Sequence, residues 1–228
     1  LSATDLAIGE ELGIIQKEAL RARNIVRDLL LIARPGRVEP AVVNLHDVVE
    51  HVSRLRRNSW LQQRIAVRTE IDPAASAAWG NETQLTQVLL NLVTNAEQAT
   101  EGRQPREITI RVQAAAGHVI LEVADNGAGM DEQTAARVFE PFFTTKHSHG
   151  TGLGLSLSYS IVRAHDGTID VQSRPGAGTA FRITLPAAPA QIAAAAPPGL
   201  PPAPLRRARV LVIDDEPSLR KVCQRLVA

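Results

Sequence analysis

The sequence predicts a two-layer α/β sandwich, in which helices pack against a largely antiparallel sheet, preceded by a long helix that belongs to a bundle. Segments that alternate apolar and polar residues occur in adjacent pairs, as in β-hairpins. Amphipathic helical segments lie between those pairs. A third observation, an apolar repeat with heptad spacing near the start, predicts the separate helix.

Residues 5–34 are predicted to form that helix. Apolar residues recur with alternating spacings of three and four, as at the a and d positions of heptads: Leu12, Ile15, Ala19, Ala22, Val26, Leu29 and Ala33. Thirty helical residues would extend about 45 Å, too far to be buried on a small domain. We therefore expect a bundle or dimerisation helix. An ordinary amphipathic helix packed on its own domain is the alternative. Pro35-Gly36 should end the helix.

The sandwich is predicted to span residues 40–186. Its helices are expected at four places: Leu45–Gln63, Glu82–Ala99, Asp131–Val138 and Thr151–His165. Asn81 is the expected N-cap of the second of these helices. The strands are expected at six places: Arg64–Ile71, Ala77–Trp79, Glu107–Gln113, His118–Ala124, Thr168–Ser173 and Thr179–Leu185.

Composition limits the function classes. The net charge of +1 disfavours a nucleic-acid partner. No apolar run approaches the roughly 20 residues that span a bilayer, so we expect no membrane contact from this part of the protein. One cysteine, Cys223, excludes an internal disulfide and fits a cytoplasmic location. Because the first residue is Leu1, we expect a fragment, which could be the cytoplasmic part of a membrane-anchored protein.

Two asparagines in the helix Glu82–Ala99 are the first candidate site residues. Asn91 and Asn95 are four residues apart, which places both side chains on one face. Amide oxygens are neutral, hard ligands that suit Mg²⁺ when it also binds substrate phosphates. Solvated asparagines are the alternative, since this spacing alone is a weak motif.

Asp125 follows a predicted strand and precedes a glycine-rich turn with Gly127, Gly129 and Met130. The sequence Asp-Asn-Gly is also typical of a simple hairpin turn. A carboxylate held at a strand end can accept a hydrogen bond from an exocyclic amine such as that of adenine, and such a pocket rejects bases without the donor.

A second glycine cluster, residues 150–154, precedes a helix start. It is neither a Rossmann fingerprint nor a P-loop, but it places backbone N–H groups where the helix dipole favours phosphate. Lys146 lies just before it and could add a point charge. His147 and His149 are expected to be solvated loop residues rather than metal ligands.

Five motifs in this order resemble those of the histidine-kinase ATP-binding domain over residues 41–186. The matching segments are Asn91-Leu-Val-Thr-Asn95-Ala for the N box, Asp125-Asn-Gly127-Ala-Gly129 for the G1 box, Phe139-Glu-Pro-Phe142-Phe143 for the F box, Gly150-Thr151-Gly152-Leu153-Gly154-Leu for the G2 box and Gly176-Ala-Gly178-Thr179 for the last glycine motif. The resemblance implies the Bergerat ATP-binding fold, with ATP and Mg²⁺ as ligands.

The resemblance also assigns roles. Asn95 would ligate Mg²⁺, Asn91 would lie near the phosphates, and Asp125 would bind the adenine amine. Residues 140–149 would form a mobile lid over ATP, with hinge glycines Gly150 and Gly152, and the aromatic residues of the F box would anchor it.

The flanking segments resemble other parts of a hybrid sensor kinase. Residues 1–36 are similar to the second helix of the dimerisation and phosphoacceptor hairpin, which implies a homodimer. A Pro/Ala-rich linker at 187–206 precedes residues 207–228, which resemble the first strand of a receiver domain with Asp214 and Asp215 in its acidic pocket. We do not expect these last residues to fold as a receiver, since they are too few to build a core.

We therefore predict the ATP-binding catalytic part of a protein-histidine kinase, which transfers the γ-phosphoryl group to a histidine and works with a response regulator or its own receiver domain. None of His46, His51, His118 and His165 matches the acceptor position, so this fragment should bind nucleotide without phosphorylating itself on the usual histidine. A non-catalytic ATP-binding regulator and an ATP-hydrolysing member of the same superfamily are the alternatives.

Overall fold

The structure is a computed structural model that describes residues 16, 19, 23, 26, 40–75, 77–145 and 151–188. The chain divides into two compact units, and all described residues lie in the first, Leu1–Ala194. The segment predicted to begin a receiver domain lies outside the described residues, and so do the ends of the predicted N-terminal helix. Four positions of that helix are described as helical and exposed: Gln16, Ala19, Arg23 and Val26.

Four helices and seven strands make up the described sandwich. In chain order they are β1 (Ala41–Asn44), α1 (Leu45–Gln63), β2 (Ile65–Ile71), β3 (Ala77–Gly80), α2 (Glu82–Ala99), β4 (Arg106–Ala115), β5 (His118–Asp125), α3 (Glu132–Arg137), α4 (Gly154–Ala164), β6 (Thr168–Arg174) and β7 (Gly178–Pro186). A single 3₁₀ turn, Pro73–Ala75, lies between β2 and β3. None of the described helices is both long and apolar enough to cross a membrane.

The main sheet has five strands in the order β2-β4-β5-β7-β6. Strands β2 and β4 are parallel, and the other three pairs are antiparallel. A parallel pair needs a crossover connection, and α2 supplies it between β2 and β4. Strands β1 and β3 form a separate antiparallel pair. The predicted two-layer α/β fold is confirmed, with one parallel pair in its sheet.

One face of the sheet and the helices that cover it form the hydrophobic core. Every second residue of the central strands is buried, as the strand period requires: Ile108, Ile110, Val112, Val119, Leu121, Val123, Phe181, Ile183 and Leu185. Helix α2 faces these residues with a buried stripe at helical spacing: Leu85, Val88, Leu89, Leu92, Val93 and Ala96. Asn81 caps α2 as predicted, because its side chain accepts the N–H of Gln84 at 2.9 Å.

The opposite face carries a row of alternating charges across neighbouring strands. Arg111 on β4 donates to Glu70 on β2 at 2.6 Å and to Glu122 on β5 at 2.8 Å. Arg182 on β7 donates to Glu122 at 2.9 Å. These bonds raise the pKa of Arg111, the one to Glu70 most. Because the pairs are cross-strand neighbours in register, they stabilise strand order while leaving this face hydrated.

Two differences from the predicted elements have simple physical causes. Strand β1 was not predicted, because four residues are too few to show an alternating pattern. Helix α4 begins at Gly154 and not at Thr151, since Gly152 has a φ of +66°, outside the helical region.

Helices α1 and α2 are joined by a buried charged cluster. Glu97 on α2 is only 3% exposed and binds the guanidinium group of Arg56 through Nε, at 2.9 Å, and through Nη2. The indole N–H of Trp60 donates to the same carboxylate at 2.6 Å. The hydrogen bond to Glu97 raises the pKa of Arg56, so its guanidinium group stays charged at ordinary pH.

Replacing Arg56 with Met should lower the free energy of unfolding by about 3 kcal/mol, because it leaves the buried Glu97 carboxylate without its counter-ion. Urea denaturation measures this loss. The double variant Arg56→Met/Glu97→Gln should be more stable than the single one, since the amide is neutral and still accepts from Trp60. Arg54→Met is the control: its ion pair with Glu50 is exposed, and its loss should cost less than about 1 kcal/mol. Equal losses in Arg54→Met and Arg56→Met would contradict this role of the cluster.

Candidate nucleotide-binding site

One edge of α2 carries the predicted asparagine pair. The Nδ2 group of Asn91 donates to the carbonyl oxygen of Gly154 at 3.1 Å, and its Oδ1 accepts from Gln87 at 3.1 Å. Asn91 therefore ties α2 to the first residue of α4. Asn95, one turn further on, is partly exposed, and its amide has no hydrogen bond within the described part of the chain. It is the asparagine that is available to a ligand.

The loop after β5 rests on the C-terminal end of α2. One carboxylate oxygen of Asp125 accepts the N–H of Gly127 at 2.8 Å, and the N–H of Ala128 donates to the carbonyl of Ala99 at 3.0 Å. A Cβ at Gly127 would overlap that same carbonyl, so only glycine allows this approach. Since Ala99 follows Asn95 by four residues, the loop lies on the same edge of the helix.

A hydroxyl network holds the other side of this loop. Ser173 on β6 accepts the N–H of Met130 at 2.8 Å and donates to the carbonyl of Gly178 at 3.0 Å. Its oxygen lies 2.9 Å from the hydroxyl oxygen of Thr179, which is buried. Thr179 is the cross-strand partner of Asp125. Directly opposed residues point to the same face, so the two side chains are neighbours at the end of the sheet.

Arg103, in the connection between α2 and β4, joins the two glycine turns at this end. Its Nη2 group donates to the carbonyl of Gly127 at 3.0 Å and to that of Gly176 at 2.8 Å. The N–H of Gly176 in turn donates to Ala128 at 2.7 Å. A single guanidinium group thus holds the loop after β5 against the turn between β6 and β7. Gly129, between Ala128 and Met130, has a φ of +67°.

The second glycine cluster forms a turn and the start of α4. Leu153, the N-cap, is buried and has no side-chain acceptor, so it cannot cap the N–H groups of the first turn. The N–H of Leu153 has only a long bond, 3.4 Å, to the hydroxyl of Thr151. An uncapped helix start of this kind favours an anion such as phosphate. Gly154 presents this helix start beside Asn91.

The aromatic residues of the predicted F box anchor a segment next to this turn. The ring of Phe139 lies 5.6 Å from that of Tyr159 on α4 and 6.2 Å from that of Phe181 on β7. Phe142 has an unusual φ of +65°, and its N–H donates to the carbonyl of Gly152 at 2.9 Å. This bond joins the first part of the segment that the resemblance identifies as a lid to Gly152, one of its predicted hinge glycines.

Several predicted residues lie outside the described part of the chain. They are Lys146, Gly150, Asp214 and Asp215, together with His147 and His149. The described candidates lie on three elements that meet at one end of the sandwich: the edge of α2, the loop after β5 with the facing end of β7, and the start of α4. A shallow cavity of about 310 Å³ lies elsewhere, on the charged face between Glu122, Asp170 and Arg182, and contains none of the candidates.

The amide oxygen of Asn95 has the chemistry of a metal ligand. No group of three or more His, Cys, Asp or Glu side chains in the described ranges could hold a metal ion. Asn95 offers a neutral oxygen, which fits Mg²⁺ that keeps water and phosphate ligands. Near the loop, Asp131 is exposed and caps α3, and the backbone N–H of Thr134 lowers the pKa of its carboxyl group.

Arg103 and Ser173 were not identified from the sequence. Each binds backbone groups that approach each other only in the folded chain. The strand pairing around the turn at 175–177 could have indicated Ser173, because it places that residue opposite Thr179. No sequence signal distinguishes Arg103 from other surface arginines.

The fold and this site define a nucleotide-binding ATPase domain of the two-layer type. The chain belongs to the histidine kinase-, DNA gyrase B- and HSP90-like ATPases, and the model of that family matches residues 80–189. The sensor protein FixL of Bradyrhizobium diazoefficiens is 37% identical over 173 residues, which are 75% of this chain and 34% of FixL. The histidine-protein kinase AtoS of Escherichia coli is 37% identical over 183 residues, 79% of this chain and 29% of AtoS. The chain thus spans about a third of the length of these curated relatives.

Solved structures agree with this family. The nucleotide-free catalytic domain of histidine kinase ThkA superposes with a TM-score of 0.60 at 31% identity, over 66% of this chain and 97% of that domain. Full-length ShkA in complex with AMPPNP gives a TM-score of 0.71 at 26% identity, over 83% of this chain and 40% of ShkA. ThkA in complex with the response regulator TrrA gives a TM-score of 0.66 at 28% identity, over 79% of this chain and 52% of the matched chain. Within the family, the chain therefore belongs with the catalytic domains of sensor histidine kinases.

Replacing Arg103 with Met should weaken ATP binding about tenfold, because the loop that carries Asp125 loses two charge-assisted hydrogen bonds to its neighbouring turn. Calorimetric titration with Mg-ATP measures the change. Arg68→Met, an exposed residue of β2, is the matched control and should bind as the unchanged protein does. Unaltered affinity in a folded Arg103→Met variant would show that the loop holds its position without this residue.

Proposed function

We propose that this chain is the ATP-binding catalytic part of a sensor histidine kinase and presents the γ-phosphoryl group of Mg-ATP to a histidine. The observation that carries the proposal is the row of α2 residues at spacing four: Asn91 meets the start of α4, Asn95 is available, and Ala99 holds the loop of Asp125. The row extends about 12 Å along the helix, a length suited to an extended nucleotide.

In this proposal the nucleotide lies along that row. The carboxylate of Asp125 accepts the exocyclic amine of adenine, and Thr179 lies beside it. The glycine loop with Gly127, Gly129 and Met130 lines the same end. This arrangement selects adenine, because guanine has a carbonyl in place of the amine and would face the carboxylate with no proton to donate.

The phosphates lie at the other end of the row, at the uncapped start of α4 with Thr151, Gly152, Leu153 and Gly154. The proposal also assigns Lys146 and Gly150 to the residues that bind the phosphates. Asn95 contributes one oxygen to Mg²⁺, whose other ligands are phosphate oxygens and water. The bound ion neutralises charge on the transferred phosphoryl group, and the protein contributes positioning.

None of the four histidines in the described domain is proposed as the acceptor. Both ring nitrogens of His165 bind backbone groups. His46 and His51 are exposed on α1, and His118 is exposed at the opposite end of β5 from Asp125. The acceptor is therefore placed on another segment or another molecule, and transfer requires that segment to reach the start of α4.

The flanking segments support a larger assembly. Ala19 and Val26 are helical, exposed and one heptad apart, which supports a homodimer through the N-terminal helix. The response-regulator complex of ThkA supports such a regulator, or the chain's own receiver segment with Asp214 and Asp215, as the phosphoryl recipient. The proposed setting is cytoplasmic two-component signalling, with a dimerisation helix at 1–36, the catalytic domain at 40–186, a linker at 187–206 and the start of a receiver at 207–228.

The purified chain should bind Mg-ATP yet release almost no phosphate over many hours, because a kinase without its acceptor has no group to receive the phosphoryl. Calorimetry measures binding, and a coupled assay measures phosphate. Sustained phosphate release would favour an ATP-hydrolysing machine of the same family. Acid-labile, base-stable radiolabel on the chain would show that it contains an acceptor histidine, contrary to the proposal. If the chain binds no Mg-ATP at all, the proposed nucleotide site is wrong.

Asp125→Asn should weaken ATP binding about 100-fold, about 2.7 kcal/mol, since an amide replaces the charged acceptor of the adenine amine. The amide oxygen can still accept the N–H of Gly127, so the loop should persist. Affinity for GTP should not fall, because guanine does not use that acceptor. Competition titrations with both nucleotides measure the ratio of the ATP affinity to the GTP affinity. Asp47→Asn on the exposed side of α1 is the control, and equal losses for ATP and GTP would indicate a collapsed loop instead.

A further inference from the structure

Helices α2 and α4 run antiparallel and are bonded at two points. Asn91, in the middle of α2, binds the carbonyl of Gly154 at the first residue of α4. At the other end, His165 just after α4 binds the backbone N–H of Asn81 just before α2, at 2.9 Å. The two spans match: ten residues along α2 rise about 15 Å, and eleven along α4 about 16.5 Å. The two bonds therefore hold α4 against α2 near both of its ends.

The imidazole of His165 has a defined hydrogen-bonding state. Its Nδ1 lies 2.8 Å from the carbonyl oxygen of Ile161, which can only accept, so Nδ1 carries the proton. Its Nε2 accepts the N–H of Asn81, so Nε2 carries none. Both ring nitrogens are therefore engaged by backbone groups, one within α4 and one just before α2.

The surroundings of the ring are shaped to hold it there. A Cβ at Gly80, the last residue of β3, would overlap Cδ2 of the imidazole, so glycine at this position lets the ring approach the strand end. Asn81 also caps α2 through its side chain, which accepts the N–H of Gln84. His165 thus binds the one residue that fixes where α2 begins.

We propose that His165 is a positioning residue for the nucleotide site: its bond to Asn81 sets the register of α4 on α2 and thereby places the start of α4 beside Asn91 and Asn95. The inference rests on the proposed function, because it assigns His165 to the phosphate end of that site. His165 touches no part of the nucleotide in this scheme and acts only through α4. Loss of the bond lets α4 shift by a fraction of a turn, which moves the N–H groups that meet the phosphates.

Three substitutions of His165 distinguish the roles of its two ring nitrogens. Gln places an amide oxygen near the position of Nε2 and can still accept from Asn81. Asn places its NH₂ group near the position of Nδ1 and can only replace the bond to Ile161. Ala removes both. Displacement of a fluorescent ATP analogue by Mg-ATP and by adenosine, well below each variant's melting temperature, gives two affinities for each protein. His118→Ala is the control, since His118 is exposed and its ring lies near the carbonyl oxygen of Ala116 in its own turn.

His165→Ala and His165→Asn should lose about tenfold in affinity for Mg-ATP, and His165→Gln should stay within threefold of the unchanged protein. Adenosine affinity should stay within twofold in all of them, because adenosine reaches only the Asp125 end. A merely structural histidine would weaken both ligands together.

Unchanged Mg-ATP affinity in folded His165→Ala would overturn the inference, as would full affinity in His165→Asn or failure of His165→Gln to recover. These outcomes count only if the unchanged protein binds Mg-ATP. If it does not, the nucleotide site itself fails, which distinguishes the two proposals.

Discussion

The candidate site depends on how α2 is buried. The helix packs one apolar stripe, with Leu85, Leu89 and Leu92, against the central strands, and these residues are almost completely excluded from water. That burial sets the rotation of the helix about its own axis, since any other rotation would expose the stripe. It therefore also sets the direction of the polar edge with Asn91 and Asn95. The energy of the core and the geometry of the site come from the same constraint, and the glycine loops contribute little apolar burial of their own.

The loops that meet this edge are held mainly by backbone hydrogen bonds. The carbonyl of Ala99 receives one loop, the carbonyl of Gly152 receives Phe142, and Arg103 holds two glycine turns together. Such bonds contribute about 1 kcal/mol each. The apolar burial lies mainly in the sheet with α1 and α2, whereas the loops around the candidate site depend on individual hydrogen bonds. The pair of Arg56 and Glu97 joins α1 to α2.

Much of the fold could be predicted because periodicity is local. Apolar spacing of two or three to four located every described strand longer than four residues and every described helix, and the N-cap at Asn81 was predicted correctly. The start of α4 was placed three residues early, because apolar spacing does not report the positive φ of Gly152. The parallel pairing of β2 with β4 could not be predicted, since a strand's sequence does not record its neighbour.

The sequence by itself determined which segments become helices and strands and which residue types could meet a nucleotide, because these follow from side-chain chemistry and spacing. It did not determine the whole buried face of α1, where Leu55 and Leu61, predicted on the apolar side, are exposed. Only the tertiary structure decided which asparagine is engaged and which is available. It also brought Arg103 and Ser173 against the loop after β5, and His165 against Asn81. Each of these binds backbone groups of segments distant in sequence, and a backbone carbonyl or N–H has no residue-specific signature. Such contacts exist only after the sheet and α2 have packed.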